Sequence, residues 1–215
     1  MIKIEMHSHT CFSQDGFITA ETLSRQCRKK NLGCICITDH NTIQGAIEFS
    51  KSAEVKIVIG EEMETGEGDL IGLFLNREID KGLGLEKTIS LIKQQGGLVY
   101  LPHPFDEFRK SSVKKASAEK IKNQIDIIEI FNSRTLNPKY NRMAADFAVE
   151  NGIIKAVGSD SHHPIEIGMS YVEMECFNGA KDFLEKLKKA SLKTKKCGLH
   201  IRIYLKILKI LTGKR

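Results

Sequence analysis

Eight short aliphatic runs punctuate the chain and predict β-strands over residues 2–6, 34–38, 55–59, 70–75, 98–101, 125–131, 155–158 and 171–175. Most are nearly continuous in apolar residues rather than alternating, which suits strands buried on both faces. Between them lie segments with helical spacing or composition, at 19–31, 42–52, 85–95, 114–124, 138–151 and 178–189. Thr19 with Thr22 or Glu21 marks a helix start and Gly33 a stop. Pro138 fits the first turn of its helix and Gly152 the C-terminal cap. Repeated strand–helix units predict an α/β fold with a parallel sheet.

The polar residues that follow these runs carry the candidate chemistry. His7 and His9 (MHSHTCFSQDG), His40 (ITDHNT), His103 (YLPHPF) and His162 (VGSDSHH) each come just past an apolar run, and Glu62 (VIGEE) ends another. Chemistry gathers at the C-terminal ends of strands in barrels and open sheets alike. An open sheet binds at one switch point, whereas at least five strand ends contribute here. A closed or nearly closed βα barrel, carrying one polynuclear metal site, therefore accounts for the pattern better.

Individual residues carry different weight. His7 and His9 are two apart, so on a strand they share a face and can chelate one ion; ordinary polar residues at a strand edge are the bland alternative. Asp160 and His162 repeat that spacing, with Gly158, Ser159 and Ser161 allowing a tight backbone, although a capped turn would look similar. Asp39 and His40 are adjacent and face opposite ways on a strand. His40 is the expected ligand and Asp39 the residue that orients it. Asn41 and Thr42 read as a turn and a helix cap. Asp15, in FSQDG, reads as a turn or as a carboxylate ligand near His40 and His162. A Glu at a strand end can bridge two ions, and alternation alone does not choose between Glu61 and Glu62. His103 stands between two prolines that stiffen its backbone.

Composition bounds this reading. The 215 residues fit one domain with a short appendage, divided as a hydrolase-like body over 1–190 and a tail over 191–215. Residues 1–185 hold 22 basic and 27 acidic residues, while 186–215 hold eleven Lys and Arg and no acid, so the net charge of +6 hides an acidic body and a basic tail. None of the six Cys forms a CxxC pair, and Cys34 and Cys36 read as small core residues. The opening MIKIEMHSH lacks a basic segment followed by an apolar one, so the expectation is a cytoplasmic protein with reduced thiols. No apolar stretch reaches the roughly 20 residues that span a bilayer. Residues 199–211 are apolar at nine of thirteen positions, with Arg202, Lys206 and Lys209 on one helical stripe. A helix there would pack on the barrel, on another subunit or on an anionic membrane surface, the last making the protein peripheral; HIRIYLKI also alternates as a strand would.

Taken together, HSH…SQDG, TDHN, GEE, HPF, IEIFNSR and GSDSH resemble the PHP (polymerase and histidinol phosphatase) family from His7 to about Glu175. The resemblance implies a distorted (β/α)7 barrel, TIM-like, with two or three divalent ions (Mn, Zn or Fe) at the strand C-terminal ends. It selects Glu62 over Glu61. It implies one ion at His7, His9, Glu62 and Asp160, and another at Asp15, His40 and His162. Glu62 would bridge to a third, also bound by His103. Relatives supply a further His or Cys to that third ion, and this chain offers Asp69, Glu129 or Asn132. The implied activity is hydrolysis of a phosphomonoester or phosphodiester by a metal-activated hydroxide. The substrate would be a nucleotide, a nucleic-acid end or a small phosphorylated metabolite. Arg134 is the expected phosphate fork, ahead of Arg109 and Lys110, and His103 or Asp160 would assist proton transfer. Hydrolysis of a non-phosphate substrate at the same metals, or a metal-stabilised regulatory or scaffold role, are the competing readings.

Overall fold

The computed structural model of the protein describes residues 1–213, apart from the side chain of Lys209. Nine strands are present: β1 (Ile2–Ser8), β2 (Leu32–Ile37), β3 (Lys56–Thr65), β4 (Gly68–Leu73), β5 (Leu98–Leu101), β6 (Ile127–Asn132), β7 (Ile154–Gly158), β8 (Tyr171–Met174) and β9 (Ser191–Lys193). The helices are α1 (Ala20–Lys30), α2 (Gln44–Ser50), α3 (Leu85–Gln94), α4 (Lys115–Ile121), α5 (Pro138–Asn151), α6 (Gly179–Leu187) and α7 (Leu199–Thr212). All eight expected strands and six expected helices are there; β9 is too short and too basic to show a pattern.

The strands form one sheet in the order β7-β6-β5-β4-β3-β2-β1-β8-β9. The sheet curls until β7 meets β1. His9 N–H donates to the Ser161 carbonyl (2.7 Å), and Ser161 N–H to that of His7 (3.3 Å). The result is a nearly closed barrel, stitched at the segments that carry the two His/Asp pairs. The expectation of a parallel sheet needs correction: β4 runs antiparallel to both β3 and β5, and β8 and β9 join antiparallel at the β1 edge. The cause is local. Only Gly66 and Glu67 separate β3 from β4, a hairpin turn with no room for a crossover helix. β3 also runs three residues past Glu62, so that residue lies within the strand and not at its end.

Ile4, Met6, Cys34, Cys36, Val58, Tyr100 and Ala156 pack in one cluster with Phe177, Phe183 and Leu187 of α6 and the segment before it. A second cluster sets α3, α4 and α5 against β4–β6, and a third sets α1 and α2 against β2. Thr19 and Thr22 form a reciprocal capping box, Pro138 opens α5 and Gly152 closes it with φ 65°. α1 stops at Asn31, which takes the left-handed cap (φ 54°), so Gly33 falls inside β2. α2 begins after Ile43; Glu78 accepts from Thr42 Oγ1 and Ile43 N–H there, a cap brought from far along the chain. The tail forms a helix, α7, rather than a strand. No described helix is long and apolar enough to cross a membrane.

Candidate metal centre

Two strands bend where they deliver the site. β1 has a register irregularity between Glu5 and Ser8, and β6 has one between Glu129 and Phe131. Such bulges re-aim side chains. His7 and Glu129 meet there, Nδ1 to Oε1 at 3.1 Å. Gly158 of β7 makes this possible, since a Cβ on it would stand 2.1 Å from Glu129 Oε1 and 2.7 Å from His7 Cβ. Asp160 and His103 hold φ of 53° and 29°, conformations that L-residues keep only where surroundings enforce them.

His7 and His9 turn their Nε2 atoms toward one another. His7 Nδ1 is turned out to Glu129, and His9 Nδ1 lies 3.4 Å from Ser13 Oγ, which in turn bonds Asp39 Oδ1 at 2.8 Å. The two Nε2 atoms are then 3.0 Å apart. Glu62 Oε2 stands 3.5 Å from His7 Nε2 and 3.3 Å from His9 Nε2; Asp160 Oδ1 stands 3.7 and 3.5 Å from the same pair. Four ligands at 2.1 Å from a tetrahedral ion would be about 3.4 Å apart. All four residues are buried. Lone pairs packed this closely need a proton or a metal between them, so the donor set fits a divalent ion.

A second group adjoins. His162 Nε2 is 3.0 Å from Asp15 Oδ2, His40 Nε2 is 3.9 Å from Asp15 Oδ1, and His40 Nδ1 is 3.2 Å from Glu62 Oε2. The rings of His40 and His162 stack on His9, with centroids 4.3 and 4.1 Å away. Glu62 reaches on to His103, Oε1 to Nε2 at 2.9 Å, and His103 Nδ1 is buried with no hydrogen-bond partner among the described residues. Glu62 thus touches all three histidine groups, and Glu61 turns away to cap Ile79 N–H.

The supplementary candidates separate by their partners. Glu129 accepts from His7, from Tyr100 Oη (3.0 Å), from His103 N–H (2.8 Å) and from Asn132 Nδ2 (2.9 Å), so it positions ligands instead of facing the cluster. Asn132 bridges Glu129 and Asp160. Asp39, expected to orient His40, accepts instead from Thr10 and Ser13, and reaches His40 only through Ser13 Oγ, which accepts from His40 N–H at 3.0 Å. Asp69 lines the cavity with Glu62 and His103; burial, then the neighbouring Glu62 charge, push its carboxyl up to about 8.

Electrostatics follow from this crowding. Burial opposes the charge on Glu62, yet His7, His40 and His103 hold its carboxyl well below the usual range. Asp160 is likewise held low against its burial, by Arg109 first. Burial, then His162 and His40, drive His9 well below the ordinary imidazole value, whereas three carboxylates overcome burial to raise His7. Arg109 Nη1 bonds Asp160 Oδ2 at 2.7 Å, and Arg134 Nη1 lies 3.3 Å from the Asp160 carbonyl and 2.5 Å from His162 Nδ1. Arg109, ranked behind Arg134 on sequence, makes the closer carboxylate pair. Lys110 lines a neighbouring groove and not this cavity. Tyr100 gave no sequence signal, because a hydroxyl inside an apolar run has no distinguishing neighbours, and Ser13 showed only as part of SQDG.

The nearly closed barrel thus gathers imidazoles and carboxylates, beside two arginines, in groups that could hold metal ions. The chain matches the PHP domain over residues 5–204 and belongs to that family. It is similar to an uncharacterised protein of Methanocaldococcus jannaschii, 32% identical over 197 residues, which covers 87% of this chain and 79% of that one. A second uncharacterised protein of the same organism is 36% identical over 163 residues, covering 69% and 92%. In fold it is similar to a two-domain Bacteroides vulgatus protein containing a predicted PHP-like metal-dependent phosphoesterase, with TM-score 0.71 and 16% identity, over 90% of this chain and 65% of that one.

Proposed function

We propose that the protein is a metal-dependent phosphoesterase. One observation carries the reading: Glu62 Oε2 and Asp160 Oδ1 each stand 3.3–3.7 Å from both the His7 and the His9 Nε2, beside a cavity of about 460 Å³ that Arg109 and Arg134 also line. His7, His9, Glu62 and Asp160 would hold one ion, and Asp15, His40 and His162 a second. A third would fall to Glu62, His103 and Asp69. Ions bound there would make a water acidic enough to attack at neutral pH and would offset charge on phosphoryl oxygens.

The chain's own groups do the rest. Glu129 and the Ser13–Asp39 pair hold the His7 and His9 rings with Nε2 inward. Arg109 and Arg134 offer guanidinium donors at the cavity wall, which favours a phosphoryl substrate over a neutral ester or amide. Asp160, held ionised between both arginines, ties these donors to the ligand cluster. The test is to measure bound metal in the purified protein and to assay phosphomonoesters and phosphodiesters with added Mn. Metal-dependent turnover is expected, with His9→Ala losing both metal and rate. No metal and no activity across the panel, or full activity in His9→Ala, overturns the reading.

A further inference from the structure

The tail does not stand apart from the cavity. Cys197 N–H donates to the Ser133 carbonyl (2.8 Å), directly before Arg134, and Lys195 N–H donates to Ser170 Oγ (3.1 Å). These bonds hold the segment that leads into α7 against the loops after β6 and β7. Leu205 of α7 is buried, and the Tyr204 ring stands edge-on to His163, next to the candidate ligand His162. Arg202, Leu205 and Lys206 therefore line the same cavity as Asp15, Glu62, Asp160 and His162.

The cations of this cavity fall into two sets. Arg109 and Arg134 are tied to Asp160 and His162. Arg202 and Lys206 make no ion pair among the described residues, and Arg202 Nε is buried without a hydrogen-bond partner. A guanidinium nitrogen removed from water with nothing to donate to is costly unless a ligand supplies the acceptor. The cavity is also larger than one phosphoryl group requires, and Phe108, Leu136 and Leu205 give it an apolar wall.

We propose that Arg202 and Lys206 form a second anion subsite, so that the substrate is a small molecule carrying a second phosphate besides the one presented to the metal ligands. The inference rests on the phosphoesterase reading and names its substrate class. The reacting phosphate lies toward Arg109 and Arg134, the distal phosphate meets Arg202 and Lys206, and the organic body covers Phe108 and Leu136, which are largely exposed without it.

Matched pairs test this: fructose 6-phosphate against fructose 1,6-bisphosphate, and adenosine 5′-phosphate against adenosine 3′,5′-bisphosphate. Both kcat/KM and calorimetric binding are measured on the Mn-loaded full chain. In the wild type, at least one bisphosphate is preferred by about tenfold or more, the yield of charge-assisted hydrogen bonds to a phosphate. Arg202→Gln with Lys206→Gln brings that ratio close to one, mainly through KM. Lys195→Gln, a basic change in the same tail but outside the cavity lining, keeps the wild-type ratio. Thermal melts confirm that each variant is folded. Equal kcat/KM and affinity for both members of every pair, or an equal loss of preference in Lys195→Gln, overturns the subsite. If no phosphoester is turned over, the phosphoesterase reading fails separately. The binding ratio then still decides whether Arg202 and Lys206 hold a second phosphate.

Discussion

Glu129→Gln isolates the residue that aims His7. The wild-type carboxylate receives four donors, two on each oxygen: His7 Nδ1 and Tyr100 Oη on one, His103 N–H and Asn132 Nδ2 on the other. A Gln in the same place keeps one oxygen and sets an NH2 group against one of the two pairs of donors. In either orientation the charged acceptor that holds the His7 ring is replaced by a neutral amide, and the ring is held less firmly with Nε2 facing the cluster. Partners of this kind are worth about 10- to 100-fold in metal affinity, or about 1.4–2.7 kcal/mol. Competition against a fluorescent chelator, with Mn or Zn, reads this directly, and circular dichroism checks the fold. Tyr100→Phe removes one neutral donor and should cost about two- to threefold, the low end for a hydrogen bond. A folded Glu129→Gln variant that binds metal within twofold of wild type would refute the assignment of Glu129 as an orienting group.

Gly158→Ala would drive a methyl into Glu129 and His7, at 2.1 and 2.7 Å; a stability loss of about 1–3 kcal/mol is expected by denaturant titration, together with weaker metal binding. Unchanged values in both would mean that the close approach of β7 is dispensable. Phe183→Ala empties a fully buried ring position between Phe74 and Phe177. The expected cost is about 3–5 kcal/mol, a fall in melting temperature of about 6–20 °C for a chain of this size, and a fall under 3 °C would count against it. Iodoacetamide at pH 8 should label Cys11 and Cys176 in the native protein and all six thiols after unfolding, counted by mass spectrometry. Burial pushes Cys27 and Cys34 up to about 12, while unfolded thiols titrate near 8.5. Their contribution to stability is therefore complete below about pH 8.5 and is lost as the pH rises from there toward 12. Native labelling of Cys34 would contradict its place in the core.

Much of this molecule is legible along the chain. A strand buried on both faces must be apolar at every position, so CICI and LVYL announce themselves, and the polar residue that ends such a run is visible by contrast. His7, His9, His40, His103 and His162 were readable for that reason. So was the spacing that lets neighbouring pairs share a face. The orientation of each strand was not: a two-residue turn at Gly66 and Glu67 reverses β4, and the apolar run itself is the same in either direction. The role of Glu129 was hidden, and Asp39 read as an orienting residue without the partners it holds, Thr10 and Ser13 instead of the His40 ring. A carboxylate that holds a ring and one that holds an ion have the same sequence signature, and only their hydrogen-bond partners, drawn from β1, β5 and the loop after β1, separate them. The tail shows the division most clearly. Its helical period and basic stripe follow from residue order, which fixes neighbours three and four apart. That Arg202 and Lys206 line the cavity of the metal ligands was decided by docking through Cys197 and Lys195, contacts between residues far apart in sequence.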